Sequence, residues 1–457
     1  MAFKRYIWLA CLGAGLTAAA PASATTATDP NVAPQAAPGE RAELEARRAA
    51  LFQQMLADVS NLEIAFEYAA LSARLGDLEG AVSTLERMLI FAPGLPRLQL
   101  ELGILYHRLG AYETAESYFD AALSSPNVTE ELVAAIEPYR RVIAKRTAVN
   151  RFEGAVVVGA RYQTNANAGP SSRFVNLNGF EFQLDETATS REDINAFVAG
   201  SFRYSRDLAN QGDSFDVSLQ TYGALYAESD EINTALAEVT FGPNIDLARF
   251  GLSGASLQLY GIAAGVVLDE DPYLLSGGVG IGFASLVGAQ TRLSLKTEYR
   301  REDYRDSDLR PFSSDRSGDR IRAVATAERL VTDRFSVFAQ FEGERRESAV
   351  DIHSLWEVGG AIGGTWRFTP FDIAGGEAWA LSLSGRYLHR RHDDPDPIIS
   401  FAEEQEDHET AFQAALSVPL GTDWAVQTIA GYRNVVSNYD TRHLDNISAT
   451  VGVMRRF

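Results

Sequence analysis

The spacing of apolar residues changes once along the chain. From about Glu40 to Arg146, apolar positions recur at helical spacing, and from Arg151 to Phe457 they alternate with polar ones. In the second region Leu293, Leu295 and Tyr299 interleave with Arg292, Ser294, Lys296, Glu298 and Arg300. Phe335, Val337, Ala339 and Phe341 interleave with Ser336, Gln340, Glu342 and Glu344. Leu381, Leu383 and Tyr387 stand against Ser382, Ser384 and Arg386. Alternation puts one side chain set on each face of a strand. The chain is therefore expected to hold helices first and strands after.

The helical region repeats with a period of 34. Gly76 aligns with Gly110, Leu78 with Tyr112, Ala81 with Ala115, Leu85 with Phe119, and Met88 with Ala122. Leu102, Gly103, Tyr106, Gly110, Tyr112, Ala115, Phe119 and Ala122 fall at the positions a tetratricopeptide repeat requires. Small residues let paired helices approach and aromatics fill between them. Pro93 and Pro126 close the second helix of each unit. Two repeats need flanking helices to bury their faces. Glu40 to about Asp58 supplies one. Thr129 caps another that runs to about Lys145, with Glu130 and Glu131 in its first turn. By repeat position, the concave side carries Glu63, Phe66, Ala70 and Arg74, then Arg97, Leu100, Ile104, His107 and Arg108. That mix of cations and aliphatic area suits an extended peptide, so these residues are the expected partner-binding face.

Fourteen strands are expected, starting near Phe152, Asp193, Ser214, Glu231, Ala255, Tyr273, Thr291, Arg320, Arg334, Ser354, Ala378, Glu409, Trp424 and Asn446. Their segments are long for a soluble sheet and suit tilted membrane strands. Aromatics at Tyr162, Tyr204, Tyr226, Tyr299, Tyr387 and Tyr432 lie near strand ends, where interface girdles form. An even count fits a closed bacterial barrel. The longest connections, Asn165–Glu192, Asp303–Asp319 and His392–His408, all follow odd strands. Short links such as Leu286–Ala289 and Val331–Asp333 follow even ones. A first strand leaving the periplasm puts the long connections outside the cell. Expected inward positions mix Arg161, Arg203, Arg292, Lys296, Arg322 and Arg386 with Glu153, Glu298, Glu328, Glu342 and Glu344. The last strand ends on Phe457, with Val453, Val451, Ala449 and Ile447 on one face. A terminal aromatic of this kind resembles the signal read by the barrel assembly machinery, although Arg455 interrupts the apolar face.

The fold class expected is thus α plus membrane β. A tetratricopeptide domain (40–146) precedes a 14-stranded antiparallel transmembrane β-barrel (151–457). Before them, Lys4 and Arg5, an apolar run from Tyr6 to about Ala20, and Ala22-Ser23-Ala24 form an export signal over 1–24. Residues 25–39, rich in Ala, Pro and Thr, read as a flexible linker. The protein is expected in the outer membrane, with its N-terminal domain in the periplasm.

Composition narrows the chemistry. The chain has 457 residues, with 41 Lys and Arg against 61 Asp and Glu, for a formal charge of −20. That balance disfavours general nucleic-acid binding. The single cysteine, Cys11, lies in the export signal, so thiolate chemistry and disulfides are not expected in the mature chain. His107, His353, His389, His392, His408 and His443 show no metal-ligand spacing in sequence. No nucleophile elbow occurs. Asp393, Asp394, Asp396, Glu403, Glu404, Glu406, Asp407 and Glu409 crowd one outer connection without an ordered calcium-loop pattern, and read as a solvated acidic loop. No catalysis, cofactor or metal is expected.

One family resemblance covers nearly the whole mature chain. The run Ile136-Glu137-Pro138-Tyr139-Arg140-Arg141-Val142-Ile143-Ala144-Lys145-Arg146 is similar to the last helix before the barrel in the surface lipoprotein assembly modulators, the Slam proteins. Gly159-Ala160-Arg161-Tyr162-Gln163-Thr164-Asn165-Ala166-Asn167-Ala168-Gly169-Pro170 resembles that family's first strand and its Asn-x-Asn-x-x-Pro turn. The order of export signal, tetratricopeptide domain, linking helix and 14-stranded barrel also matches. The resemblance implies an outer-membrane translocon that moves a lipoprotein or secreted protein to the cell surface, after its tetratricopeptide domain engages the cargo. An exopolysaccharide export porin with a tetratricopeptide scaffold is the alternative. The two asparagines read as turn formers, because Asn tolerates φ > 0, or as a conformational element where the first strand meets its outer loop.

Overall fold

A computed structural model describes residues 38–58, 60–126, 128–208, 210, 212–288, 290–370 and 378–457. The expected export signal, and all of the expected linker except its last two residues, lie outside this set. The chain divides between Ala148 and Val149 into two compact units.

The first unit is six helices: α1 (Pro38–Ala57), α2 (Leu62–Arg74), α3 (Leu78–Met88), α4 (Pro96–Arg108), α5 (Tyr112–Leu123) and α6 (Glu130–Thr147). Side chains of Asn61, Asp77 and Thr129 cap α2, α3 and α6 by accepting from Ile64, Gly80 and Leu132 amides. The repeat period reappears in the backbone. Gly76 (φ +90°) and Gly110 (φ +78°) turn the chain after α2 and α4 in the left-handed region that glycine enters without penalty. Gly103 fixes how closely the second pair packs, because a Cβ there would stand 2.4 Å from the Phe119 ring. Phe119, Leu98, Leu102, Ala115 and Ala122 are fully buried around it.

The second unit is a closed barrel of fourteen antiparallel strands. They are β1 (Asn150–Gln163), β4 (Asp193–Asp207), β5 (Ser214–Tyr226), β6 (Thr234–Asp246), β7 (Ala255–Leu268), β8 (Asp271–Val287) and β9 (Thr291–Tyr304). They continue as β10 (Gly318–Thr332), β11 (Phe335–Ser348), β12 (Leu355–Phe368), β13 (Trp379–His392), β14 (Glu406–Leu420), β15 (Trp424–Ser437) and β16 (Leu444–Arg456). Each pairs with its neighbour in sequence order, apart from an inserted hairpin, and β1 closes on β16 from Ala155–Arg456 to Gln163–Ser448. All fourteen expected strands are present. The expected fourth start, Glu231, falls in a 3-10 turn, and the strand begins at Thr234.

The first long connection folds an additional hairpin, β2 (Phe174–Leu177) with β3 (Phe180–Gln183). Asn178 (φ +53°) and Gly179 (φ +85°) make its two-residue turn. The three longest connections share one rim, as expected. That rim also carries the two-residue turn Asp269-Glu270, and the other rim carries a ten-residue connection, 369–378. Outward positions keep large apolar side chains exposed, among them Ile362 at 69%, Phe341 at 64% and Phe412 at 58%. An apolar band around a whole barrel requires an apolar surrounding. Among the described residues no helix is long and apolar enough to cross a membrane.

Candidate transport lumen and partner-binding face

Period-2 alternation sends the opposite set of side chains into the barrel, where they pair by charge. On β9, Arg300 donates to Glu298 Oε2 through Nε and Nη2 at 3.0 and 2.7 Å, and through Nη1 it reaches Glu238 on β6. Tyr260 on β7 donates to Glu298 at 2.9 Å. Glu342 on β11 is 2% exposed and holds two arginines, Arg322 at 2.6 Å and Arg386 at 2.9 Å. Arg320 pairs with Glu302 at 3.2 Å, and Arg346 with Glu344 at 2.9 Å. Arg390 donates to Glu357, and Arg433 binds Glu409 in bidentate fashion at 3.0 and 2.9 Å. This belt runs from β6 to β15 with neither sign in excess.

The wall on β1, β4, β5 and β16 is held differently. Asn195 donates to Gln163, Gln220 to Ser201, and Arg161 to Thr450, with the Arg161 guanidinium 5.4 Å from the Phe197 ring centroid. At the short-turn end of this wall a polar cavity of about 230 Å3 is lined by Arg151, Glu153, Arg203, Ser205, Ser214, Asp216 and Asn244.

At the long-loop rim the connections interlock. Asn178 donates to Pro397 and Ile398 carbonyls at 3.0 and 3.3 Å, and Asp440 accepts from the Asn176 amide. Arg191 pairs with Glu231, whose carbonyl also accepts from Arg310. Burial, with the nearby Arg316 and Arg442 charges, pushes His353 down to about 3, so this imidazole stays neutral. Within the run of acids expected as one solvated loop, Asp393 pairs with Arg345, Glu404 with Arg391 and Glu406 with His389, while Glu403 is exposed.

The seam of the barrel is tied at both ends. Phe457 donates its amide to the Gly154 carbonyl at 2.9 Å, and Arg455, the residue that interrupts the apolar face, lies over both the Trp424 and Phe457 rings. At the other end Asn165 and Asn167 are 2% and 1% exposed. Asn165 Nδ2 donates to Gly169 and Asp445 carbonyls, and Asn167 Nδ2 to Thr189. Neither asparagine has positive φ. The left-handed residue is Ala168 (φ +47°), immediately after Asn167. The tolerance of Asn for φ > 0 is therefore not the reason these residues stand here. Their amides supply the bonds that fix the turn.

In the helical unit the expected partner face divides. Glu63, Ala70, Arg74 and Arg97 are exposed and Phe66 is half-buried. Arg97 stacks over Phe66 at 4.7 Å and lies 3.8 Å from Glu63. His107 departs from the expectation. It is fully buried, edge-on to Tyr112 and to Tyr139 of α6. Leu100 and Ile104 are half-buried in the same cluster. The closing helix α6 covers what repeat position alone leaves open. Arg108 is also half-buried and donates to the Ala73 carbonyl at the end of α2, and burial lowers its pKa. Tyr106, one of the repeat-signature aromatics, and Tyr118, which the repeat pattern did not mark, bracket Glu86. Tyr106 donates to it at 2.6 Å and Tyr118 at 3.3 Å, with the two rings stacked at 5.4 Å. The bond to Glu86 and burial raise Tyr106 to about 12.

No protein-family model matches the chain, and no curated protein matches it. Among solved structures, the helical part is similar to the type III secretion chaperone SycD of Yersinia enterocolitica in complex with a YopD peptide, at 13% identity over 24% of this chain and 86% of that one, with a TM-score of 0.22. The barrel is similar to an outer membrane channel from Pseudomonas putida F1, at 12% identity over 66% and 96% of the two chains, with a TM-score of 0.33. It is also similar to a Pseudomonas aeruginosa FadL homologue, at 10% identity over 67% and 90%, with a TM-score of 0.37. Likenesses this distant assign the chain to no family.

Proposed function

We propose that this protein is an outer-membrane translocon that moves a lipoprotein or secreted protein to the cell surface. The observation that carries the reading is the union, in one chain, of tetratricopeptide-type helices with a closed fourteen-stranded barrel of apolar exterior and charged lumen. Helix pairs of that kind present extended concave surfaces to peptides. An apolar outer band is stable in a bilayer, and a polar interior gives hydrophilic cargo a route.

In this reading residues 1–24 direct export and are removed, residues 25–39 are a linker, and the helical domain works in the periplasm. Cargo meets the surface around Glu63, Phe66, Arg74 and Arg97. The partners are the cargo, outer-membrane lipid and the barrel assembly machinery, which reads the end of the chain at Phe457. The interlocked rim loops would have to part for a polypeptide to leave. The role is transport without catalysis.

Export of an acidic polysaccharide would favour a lumen rich in unneutralised cations. Here Arg300, Arg322, Arg386, Arg390 and Arg433 bond to carboxylates, which supports the protein reading. The test is deletion of the gene, followed by protease shaving of intact cells and by capsule staining. Loss of surface-exposed lipoproteins or secreted proteins with normal capsule is expected. Normal surface proteins with lost polysaccharide would overturn the reading in favour of a polysaccharide porin.

A further inference from the structure

Three side chains that no local sequence spacing groups together meet on the outside of the barrel, at the rim that carries the long connections. His389 on β13 and His408 on β14 are directly paired across the two strands. Glu406 precedes His408 by two positions and therefore points to the same face. His389 Nε2 lies 2.8 Å from Glu406 Oε1, and His408 Nε2 lies 3.7 Å from the same oxygen. The two imidazoles stack at 4.8 Å with 5° between their planes. One ligand atom from each of the three residues fits within a 4.8 Å span.

We propose that His389, His408 and Glu406 form a binding site for a divalent transition-metal ion, with zinc as the ion that best fits two imidazoles and one carboxylate. Metal bonds of roughly 2.0–2.1 Å at tetrahedral angles set ligand atoms about 3.4 Å apart. The observed separations of 2.8 and 3.7 Å bracket that value, so small side-chain rotations complete the site. Two nitrogen donors select against magnesium and calcium, which take oxygen ligands. A water molecule would supply the fourth ligand.

The surroundings favour the same assignment. Tyr387, two residues before His389 on the same face, has its hydroxyl 2.7 Å from His408 Nδ1. With Nδ1 protonated and donating to Tyr387, His408 Nε2 presents its lone pair towards Glu406. The nearby cation Arg391 is turned aside. Its Nε and Nη2 donate to Glu404 at 3.0 and 2.8 Å, so Glu406 is left to the imidazoles. All three ligands are partly exposed, with side chains at 34%, 46% and 48% for His389, His408 and Glu406. An ion can therefore reach them from outside. Bound there, it would cross-link β13 to β14 at the foot of the connection 393–405.

The test uses the full chain with a tag free of histidine, purified in detergent. Zinc is titrated against a chromophoric chelator, and cobalt is added separately to read the visible spectrum of a tetrahedral site. Wild type is expected to bind one zinc. His389→Ala and His408→Ala should each weaken binding at least ~10-fold and abolish the tetrahedral cobalt spectrum, while Tyr387→Phe should weaken it about 10-fold by loosening the imidazole. His443→Ala, at an exposed histidine on the same rim, should bind as wild type. Heat-modifiable migration checks folding, and Glu406→Gln replaces any alanine variant that fails it. The proposal is overturned if wild type shows no zinc binding in the micromolar range. It is overturned equally if the double variant His389→Ala/His408→Ala, still folded, binds zinc as well as wild type.

Discussion

Asn165 joins the first barrel strand to the last, donating from Nδ2 to the carbonyl oxygen of Asp445 at 3.1 Å. The same amide group closes its own turn, since Oδ1 accepts from the Gly169 amide at 2.9 Å and Nδ2 donates to the Gly169 carbonyl at 2.8 Å. At its long-loop end the closing seam, where strands from opposite ends of the chain must find each other, thus gains a buried side-chain tie in addition to its backbone ladder.

Asn165→Ala would strip these partners in a buried setting. Leaving buried polar groups unsatisfied costs about 1–3 kcal/mol. The expected result is a barrel that still closes but unfolds at a lower temperature in a heat-modifiable gel assay. Asn165→Asp keeps the acceptor and loses the donors, so it should fall between alanine and wild type. An unchanged unfolding temperature for Asn165→Ala would show that the turn is held by its backbone alone.

The barrel was readable in the sequence because helices and irregular loops do not sustain a two-residue period over segments as long as Thr291–Tyr304 or Phe335–Ser348. The β2–β3 hairpin was missed because its strands are four residues each and their alternation is too brief to register. Asn178-Gly179 between Phe174–Leu177 and Phe180–Gln183 is the signal that could have located it. The partner face was legible only within each repeat. His107 occupies a concave position by repeat spacing, yet Tyr139 from a helix outside the repeats covers it. The His389–His408 pair was invisible for a related reason. Cross-strand neighbours depend on register, which no local spacing reports.

Deletion of Phe457 removes its amide bond to Gly154 and one of the two rings beneath Arg455. The expected outcome is less folded barrel in outer-membrane fractions, with export-signal cleavage unchanged. Phe457→Ala retains the backbone bond and separates the two effects. If it behaves like the deletion, the ring is what assembly requires. Normal barrel levels in both variants would refute a terminal signal.

Alkaline pH should weaken the helical unit through Tyr106. Its hydroxyl donates to Glu86 at 2.6 Å, and that bond lifts its pKa from about 10 to about 12. A raised folded-state value means the protonated form is favoured in the folded state. The stabilisation is fully present below pH about 10 and is lost as pH climbs to about 12. Thermal unfolding followed by helical circular dichroism should therefore fall across that window, and Tyr106→Phe should flatten the dependence. An identical slope in the variant would assign the alkaline loss to other groups.

Arg97 offers the cleanest probe of cargo docking. Its side chain is 61% exposed, and its nearby carboxylate, Glu63, is 84% exposed. An exposed pair of this kind contributes roughly 0–1 kcal/mol, so Arg97→Glu should leave the fold intact. It also replaces the cation over Phe66 with an anion, which changes the chemistry of that surface. Arg108, the other cation on the expected face, is unsuitable for the same test. It is half-buried and its guanidinium holds the Ala73 carbonyl, so charge reversal there would disturb α2 and α4 together. If an acidic or amphipathic segment of cargo docks at this surface, Arg97→Glu should reduce surface display of that cargo while the level of folded barrel stays constant. Phe66→Ala should reduce display in the same way by removing apolar area. A fall in display that only tracks barrel level would mark these residues as structural. Unchanged display in both folded variants would remove this surface from the cargo path and leave the helical unit as a spacer.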